Sequence, residues 1–175
     1  MAKKVAVLAV NPVNGLGLFT YLETFFENKI PYKVFAVYNS IDIKTNSGLR
    51  IKTDDVIEDL VGHATDYDAL VFSCGDAVPV FVQNAKKPYN KLLLQVIQEF
   101  ATAKKLMIGH CGAGVFFDAA GVDKGKQIAC HPYVKNTIKK GIYSSNPIAI
   151  DMPFFTAAEE HELPLLMPEI IKALQ

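Results

Sequence analysis

The chain has 175 residues, of which 50% are hydrophobic and 21% charged, enough to fill one domain's core and too apolar for extended disorder. Lysine plus arginine and aspartate plus glutamate number 18 each. The charges cancel, and the positive field on which non-specific nucleic-acid or anionic-membrane binding relies is absent. A single domain over residues 1–175, with no nucleic-acid or membrane partner, is expected.

Val5–Val10 is apolar without alternation, the pattern of a parallel strand covered on both faces. It is far shorter than the ~20 residues of a membrane span. Asn11, Pro12 and Asn14 cut it off before a signal-peptide core could form, so a cytoplasmic protein is expected. Leu18, Leu22, Phe25 and Phe26 recur at helical spacing, and 32–38 is the next apolar strand. Residues 41–51, with Asn46, Ser47 and Gly48 at their centre, read as a hairpin, and 54–60 as a brief helix. The stretch 69–72 is a third buried strand, ending in Ser73, Cys74, Gly75 and Asp76.

The stretch 92–103 repeats every 3.6 residues, 106–108 is a fourth strand, and 114–120 begins a helix that Gly121 can terminate. Residues 128–130 and 148–150 read as late strands. Pro147, Pro153, Pro164 and Pro168 divide the tail, and 168–174 suits a terminal helix with proline in its first turn. Glu159, Glu160, His161 and Glu162 read as solvated. Strands alternating with helices predict an α/β fold: a doubly wound, mostly parallel sheet with helices on both faces, a flavodoxin-like three-layer sandwich.

In such a sheet ligands bind beyond the carboxyl ends of the strands, which points to residues 11–17, 74–76 and 109–114. The segment LMIGHCGAGVFF, 106–117, sets Cys111 between a strand and a helix, with Gly109 two residues before it and Ala113 two after. This is the small-x-nucleophile-x-small pattern of a nucleophile elbow, a turn too tight for larger flanking side chains. The following helix aims its first N–H groups and the positive end of its dipole at the sulfur, favouring thiolate. The backbone N–H groups of Gly112 and of Gly75 or Asp76 could converge on one oxygen as an oxyanion site. Cys74, Cys111 and Cys130 are an odd number in a chain large enough to need no staples, so no disulfide framework is expected. No cofactor or metal is expected either. Gly15-Leu16-Gly17 has Thr20 where a dinucleotide fingerprint needs its third glycine, and no C-x-x-C occurs for zinc.

Taken with YDALVFSCGD at 67–76, SGLRIKTD at 47–54 and GKQIACHP at 125–132, the elbow makes residues 3–136 resemble the ThiJ/PfpI superfamily. Its members are intracellular protease I-like proteins with a class I glutamine amidotransferase-like fold. The resemblance implies a homodimer with a reactive cysteine in a shallow pocket, acting on a small molecule or peptide. Members are variously described as proteases, glyoxalases or deglycases, isocyanide hydratases and chaperones. It also makes His131, 20 residues after Cys111, a catalytic or orienting candidate beside the cysteine. Catalytic candidates are thus Cys111, His131, Gly112 and Gly75.

Two departures stand out. Family enzymes usually carry a carboxylate in the first loop, where this chain has Gly17, with Asn14 and Gly15 at the neighbouring acidic positions. Glu23 lies about two turns further along. Losing such an acid removes a proton shuttle worth roughly 10²–10⁴-fold. Protease-type members place His directly after the cysteine, whereas here Gly112 follows and His110 precedes, with Val78 and Pro79 near the position of the acidic partner. His110 is expected to pack beside the sheet. Cys74 and Cys130 are expected near the pocket, forming with His131 a cluster in which Cys74 resolves an oxidised Cys111, or else merely packing as small apolar residues. Two functions follow: a cysteine-dependent, protease-like hydrolase of a small acyl or carbonyl compound, or a non-enzymatic dimeric redox-sensing or chaperone-like stress protein.

Overall fold

The computed structural model describes residues 3–175. Its frame follows from strands too apolar to face water on either side. β1 (Val5–Val10) is buried along its whole length and pairs in parallel with β2 (Tyr32–Val37), the connection passing through α1 (Gly15–Glu27). Asn14 starts α1: its side-chain oxygen accepts the Gly17 N–H at 2.7 Å, satisfying one of the helix's unpaired donors. The hairpin forms from β3 (Asp42–Lys44) and β4 (Arg50–Lys52).

The brief helix expected at 54–60 is instead an edge strand, β5 (Asp55–Val56), followed by a 3₁₀ turn over Ile57–Leu60. The Asp54 carboxylate takes the Val34 N–H at 2.7 Å, holding the chain extended against β2. β6 (Ala69–Ser73), α2 (Pro88–Thr102), β7 (Leu106–His110) and α3 (Ala113–Ala120) then follow as expected. Gly121 closes α3 in the left-handed conformation, φ 75°.

The tail departs further. β8 (Gln127–Ala129) leaves the main sheet to pair with β9 (Ile142–Ser144), while β10 (Ile148–Asp151) turns back antiparallel onto β11 (Phe154–Ala157). β11 is buried and parallel to β7. The last helix, α4, runs from Leu163 to Leu174 rather than from Pro168. Pro164 sits in its first turn, where the missing N–H is harmless, and Pro168 lies on the solvent face. The buried stripe Leu163, Leu166, Met167, Ile170 and Leu174 offsets the one lost backbone bond.

The sheet order is β10-β11-β7-β6-β1-β2-β5, parallel except for β10. α1 packs with α4 and α2 with α3, forming the outer layers. Pairing of Ala9 with Ser73, Phe72 with Gly109 and Ala157 with His110 brings the carboxyl ends of β1, β6, β7 and β11 to one level. The site forms there. Among the described residues no helix is long and apolar enough to cross a membrane.

Candidate active site

Cys111 follows β7 with φ at +55°, a left-handed conformation uncommon for non-glycine residues and shared here by Lys29 and Lys104. The strained turn is fixed from both sides: the Cys111 N–H donates to the Ala157 carbonyl at 3.1 Å, and its own carbonyl accepts from the His131 N–H at 3.0 Å. The small flanks are required. A Cβ on Gly109 would lie 2.4 Å from that of Ala113. Cys111 is partly exposed in a cleft of about 670 Å³, a size suited to a small-molecule ligand.

The sulfur's neighbours set its charge. Cys74, buried at the end of β6, donates its S–H to Cys111, which lowers the Cys111 pKa below the ordinary thiol value. Burial and the carboxylates of Glu160 and Glu159 oppose this, while the Gly112 N–H assists it. Cys74 moves the other way, held well above a normal thiol by the same hydrogen bond and by burial. Of the two, Cys111 is the one that ionises first. The Gly112 N–H also donates to the Cys74 sulfur at 3.3 Å, and the Gly75 N–H stabilises the same atom. The Asp76 N–H is taken by the Asn46 side chain at 3.1 Å, so it does not join Gly112 and Gly75 at the Cys74 sulfur.

His131 lines the cleft, and its ring nitrogens engage other groups than the sulfur. Its Nδ1 accepts the Tyr133 N–H at 3.2 Å, which places the proton on Nε2, 3.4 Å from a Glu159 oxygen. Cys130 corrects the expected three-thiol cluster: it is fully buried beneath Gly114, is absent from the cleft wall, and burial pushes its thiol up to about 11. Among the described residues no three His, Cys, Asp or Glu side chains group to hold a metal ion.

His110 is buried as expected. Its Nδ1 meets the Tyr21 hydroxyl at 3.2 Å, its Nε2 has no partner, and burial lowers its pKa to about 4, so it is neutral at physiological pH. The ring fills the space opposite Gly17, where an added Cβ would lie 2.5 Å from His110 Nε2. An imidazole from β7 therefore occupies the room a side chain on α1 would need. Two of the site's acids come from the tail. Glu159 and Glu160, read from sequence as solvated, are half-buried in the cleft wall, and Asn14 donates its side-chain N–H to Glu160 at 3.0 Å.

Comparison with known proteins agrees with this architecture. The DJ-1/PfpI family matches residues 3–173. The chain belongs to that family. Among DJ-1/PfpI relatives, protein ppBat of Bacteroides thetaiotaomicron is 56% identical over 175 residues, the whole of both chains. The crystal structure of a B. thetaiotaomicron protein provisionally named as protease I, 56% identical, superposes with a TM-score of 0.98 over 99% of this chain and all of the other. Drosophila melanogaster DJ-1beta, at 16% identity, covers 99% of this chain and 91% of its own with a TM-score of 0.86, a likeness of fold alone.

Proposed function

We propose that the protein is a cysteine-dependent hydrolase acting on a small acyl or carbonyl compound, with Cys111 as nucleophile. What carries this reading is a cysteine of lowered pKa, held at φ +55° in an accessible cleft and hydrogen-bonded by a second thiol. The thiolate attacks the acyl carbon, the leaving group departs with a proton, and water hydrolyses the thioester to restore Cys111. As negative charge passes from sulfur to the acyl oxygen, the Cys74 S–H and the N–H groups of Gly112 and Gly75 are the donors at hand. His131, held by Glu159, serves the leaving group or the water rather than the sulfur.

One observation favours a second reading, a redox-sensing protein without turnover: the space opposite Gly17, where family enzymes carry an acid, is filled by His110. Model thioesters and activated esters separate the two. Hydrolysis is expected, lost by at least ~10³-fold in Cys111→Ser. Turnover that is absent, or that survives the substitution, overturns the hydrolase; a peroxide-induced Cys74–Cys111 link found by peptide mapping then supports the redox reading.

A further inference from the structure

The charges around Cys111 are one-sided. Asp76, Glu159 and Glu160 line the cleft and no lysine or arginine does. Among the described residues, none of these carboxylates forms an ion pair with a lysine or arginine. Two are held instead by neutral amides, Asp76 by Asn46 and Glu160 by Asn14, each at 3.0 Å, while Glu159 lies 3.4 Å from the His131 ring. Amide donors fix the carboxylates in place without cancelling their charge. His110 does not cancel it either, being buried and neutral, with Nε2 unpartnered at the cleft floor.

The same cleft is also lined by the apolar side chains of Val78, Val82, Val115 and Tyr133, and two of these are unusually bare: Val82 is 83% exposed and Tyr133 91%. Isolated apolar residues on a surface need no explanation, but these line the cleft that also holds Cys111.

We propose that this cleft selects amphipathic cations: substrates with an apolar group against Val82 and Tyr133 and an amine, amidine or quaternary ammonium group facing Asp76, Glu159 and Glu160. A carboxylate, phosphate or sulfonate would meet three like charges and the thiolate with no counter-ion, while a cation is concentrated by the same field. The inference rests on the reading of Cys111 as the exposed nucleophile and narrows what reaches it.

Alkyl methanethiosulfonates test it without any enzymatic turnover. The thiolate forms a disulfide with the reagent's sulfenyl sulfur and methanesulfinate leaves, so a matched set reports approach to the same atom. The set is trimethylammonioethyl (cationic), methyl (neutral) and sulfonatoethyl (anionic) methanethiosulfonate, each rate mapped to Cys111 and normalised to that of mercaptoethanol. At low ionic strength the cation is expected to react about tenfold or more faster than the anion. The ratio shrinks as salt is added to the unmutated protein. It also shrinks in Glu159→Gln/Glu160→Gln, which leaves Asp76 alone, and dividing cation by anion rate cancels any change in thiolate content.

A wild-type ratio near one, or favouring the anion, overturns the inference, as does a preference that salt leaves unchanged. Charge preference without ester turnover supports the cation-selective cleft while removing the hydrolase. Turnover without charge preference does the reverse, and failure of all three reagents at Cys111 removes both.

Discussion

Gly17→Glu is expected to lower the unfolding free energy by about 2–4 kcal/mol, even though it restores the acid that family enzymes usually carry. The Cβ alone would sit 2.5 Å from His110 Nε2 and 2.7 Å from Cε1. The imidazole cannot step aside cheaply: it is 1% exposed, its Nδ1 meets the Tyr21 hydroxyl, and its ring lies 5.6 Å from that of Tyr21. Moving it leaves a buried hydroxyl unpaired, and leaving it in place sets a carboxylate against a desolvated neutral ring. Removing the imidazole makes room, so Gly17→Glu/His110→Ala should be more stable than the two single losses predict by about 1–3 kcal/mol in urea unfolding. Simple additivity would mean that the two side chains do not compete for one space.

Gly109→Val is expected to be at least as damaging, roughly 3 kcal/mol or more, because no rotamer relieves the clash. The first carbon already falls 2.4 Å from the Ala113 Cβ, with the Phe117 ring behind it at 3.5 Å. Ala113 opens α3, so the collision pushes the helix head away from β7 and carries Gly112 and Cys111 with it. Thermal unfolding and the alkylation rate of Cys111 should therefore fall together. A folded variant with wild-type reactivity would show that the elbow does not set the sulfur's position.

Those two glycines differ in how plainly the sequence announces them. Gly109 and Ala113 flank Cys111 at fixed spacing, so the steric demand is local and the elbow is legible from residues 109–113 alone. Gly17 can be seen to lack an acid, but nothing near it shows that His110, on a different element, fills the space; that depends on how β7 sits beside the head of α1. Glu159 and Glu160 were hidden similarly, in a run that reads as a solvated surface. The available signal was β11, whose residues Phe154, Phe155 and Ala157 are apolar enough for a buried strand and would have carried the following acids to the sheet's carboxyl edge. Cys130 shows the opposite failure, since adjacency to His131 suggested a place in the cleft. The terminal helix was cut short because two prolines outweighed the spacing of Leu163, Leu166, Met167, Ile170 and Leu174, which is helical throughout. The parallel core strands β1, β2, β6 and β7 were legible because burial on both faces leaves them continuous apolar runs.

The central claim is that Cys111 is the ionised member of a two-thiol pair, and iodoacetamide alkylation followed across pH with peptide mapping tests it most directly. Because the Cys111 pKa is lowered, its thiolate persists to lower pH than that of an unperturbed cysteine and is lost as pH falls through that lowered value. The rate midpoint should therefore lie below that of an unperturbed cysteine measured under the same conditions. Cys74 and Cys130, both raised, should stay unmodified near neutrality. Cys74→Ala removes the S–H donor, so the midpoint should move up and the neutral-pH rate fall about tenfold, the worth of one hydrogen bond to a charged group. A Cys111 that titrates at or above the free-cysteine value, or whose profile is unchanged in Cys74→Ala, would contradict the account.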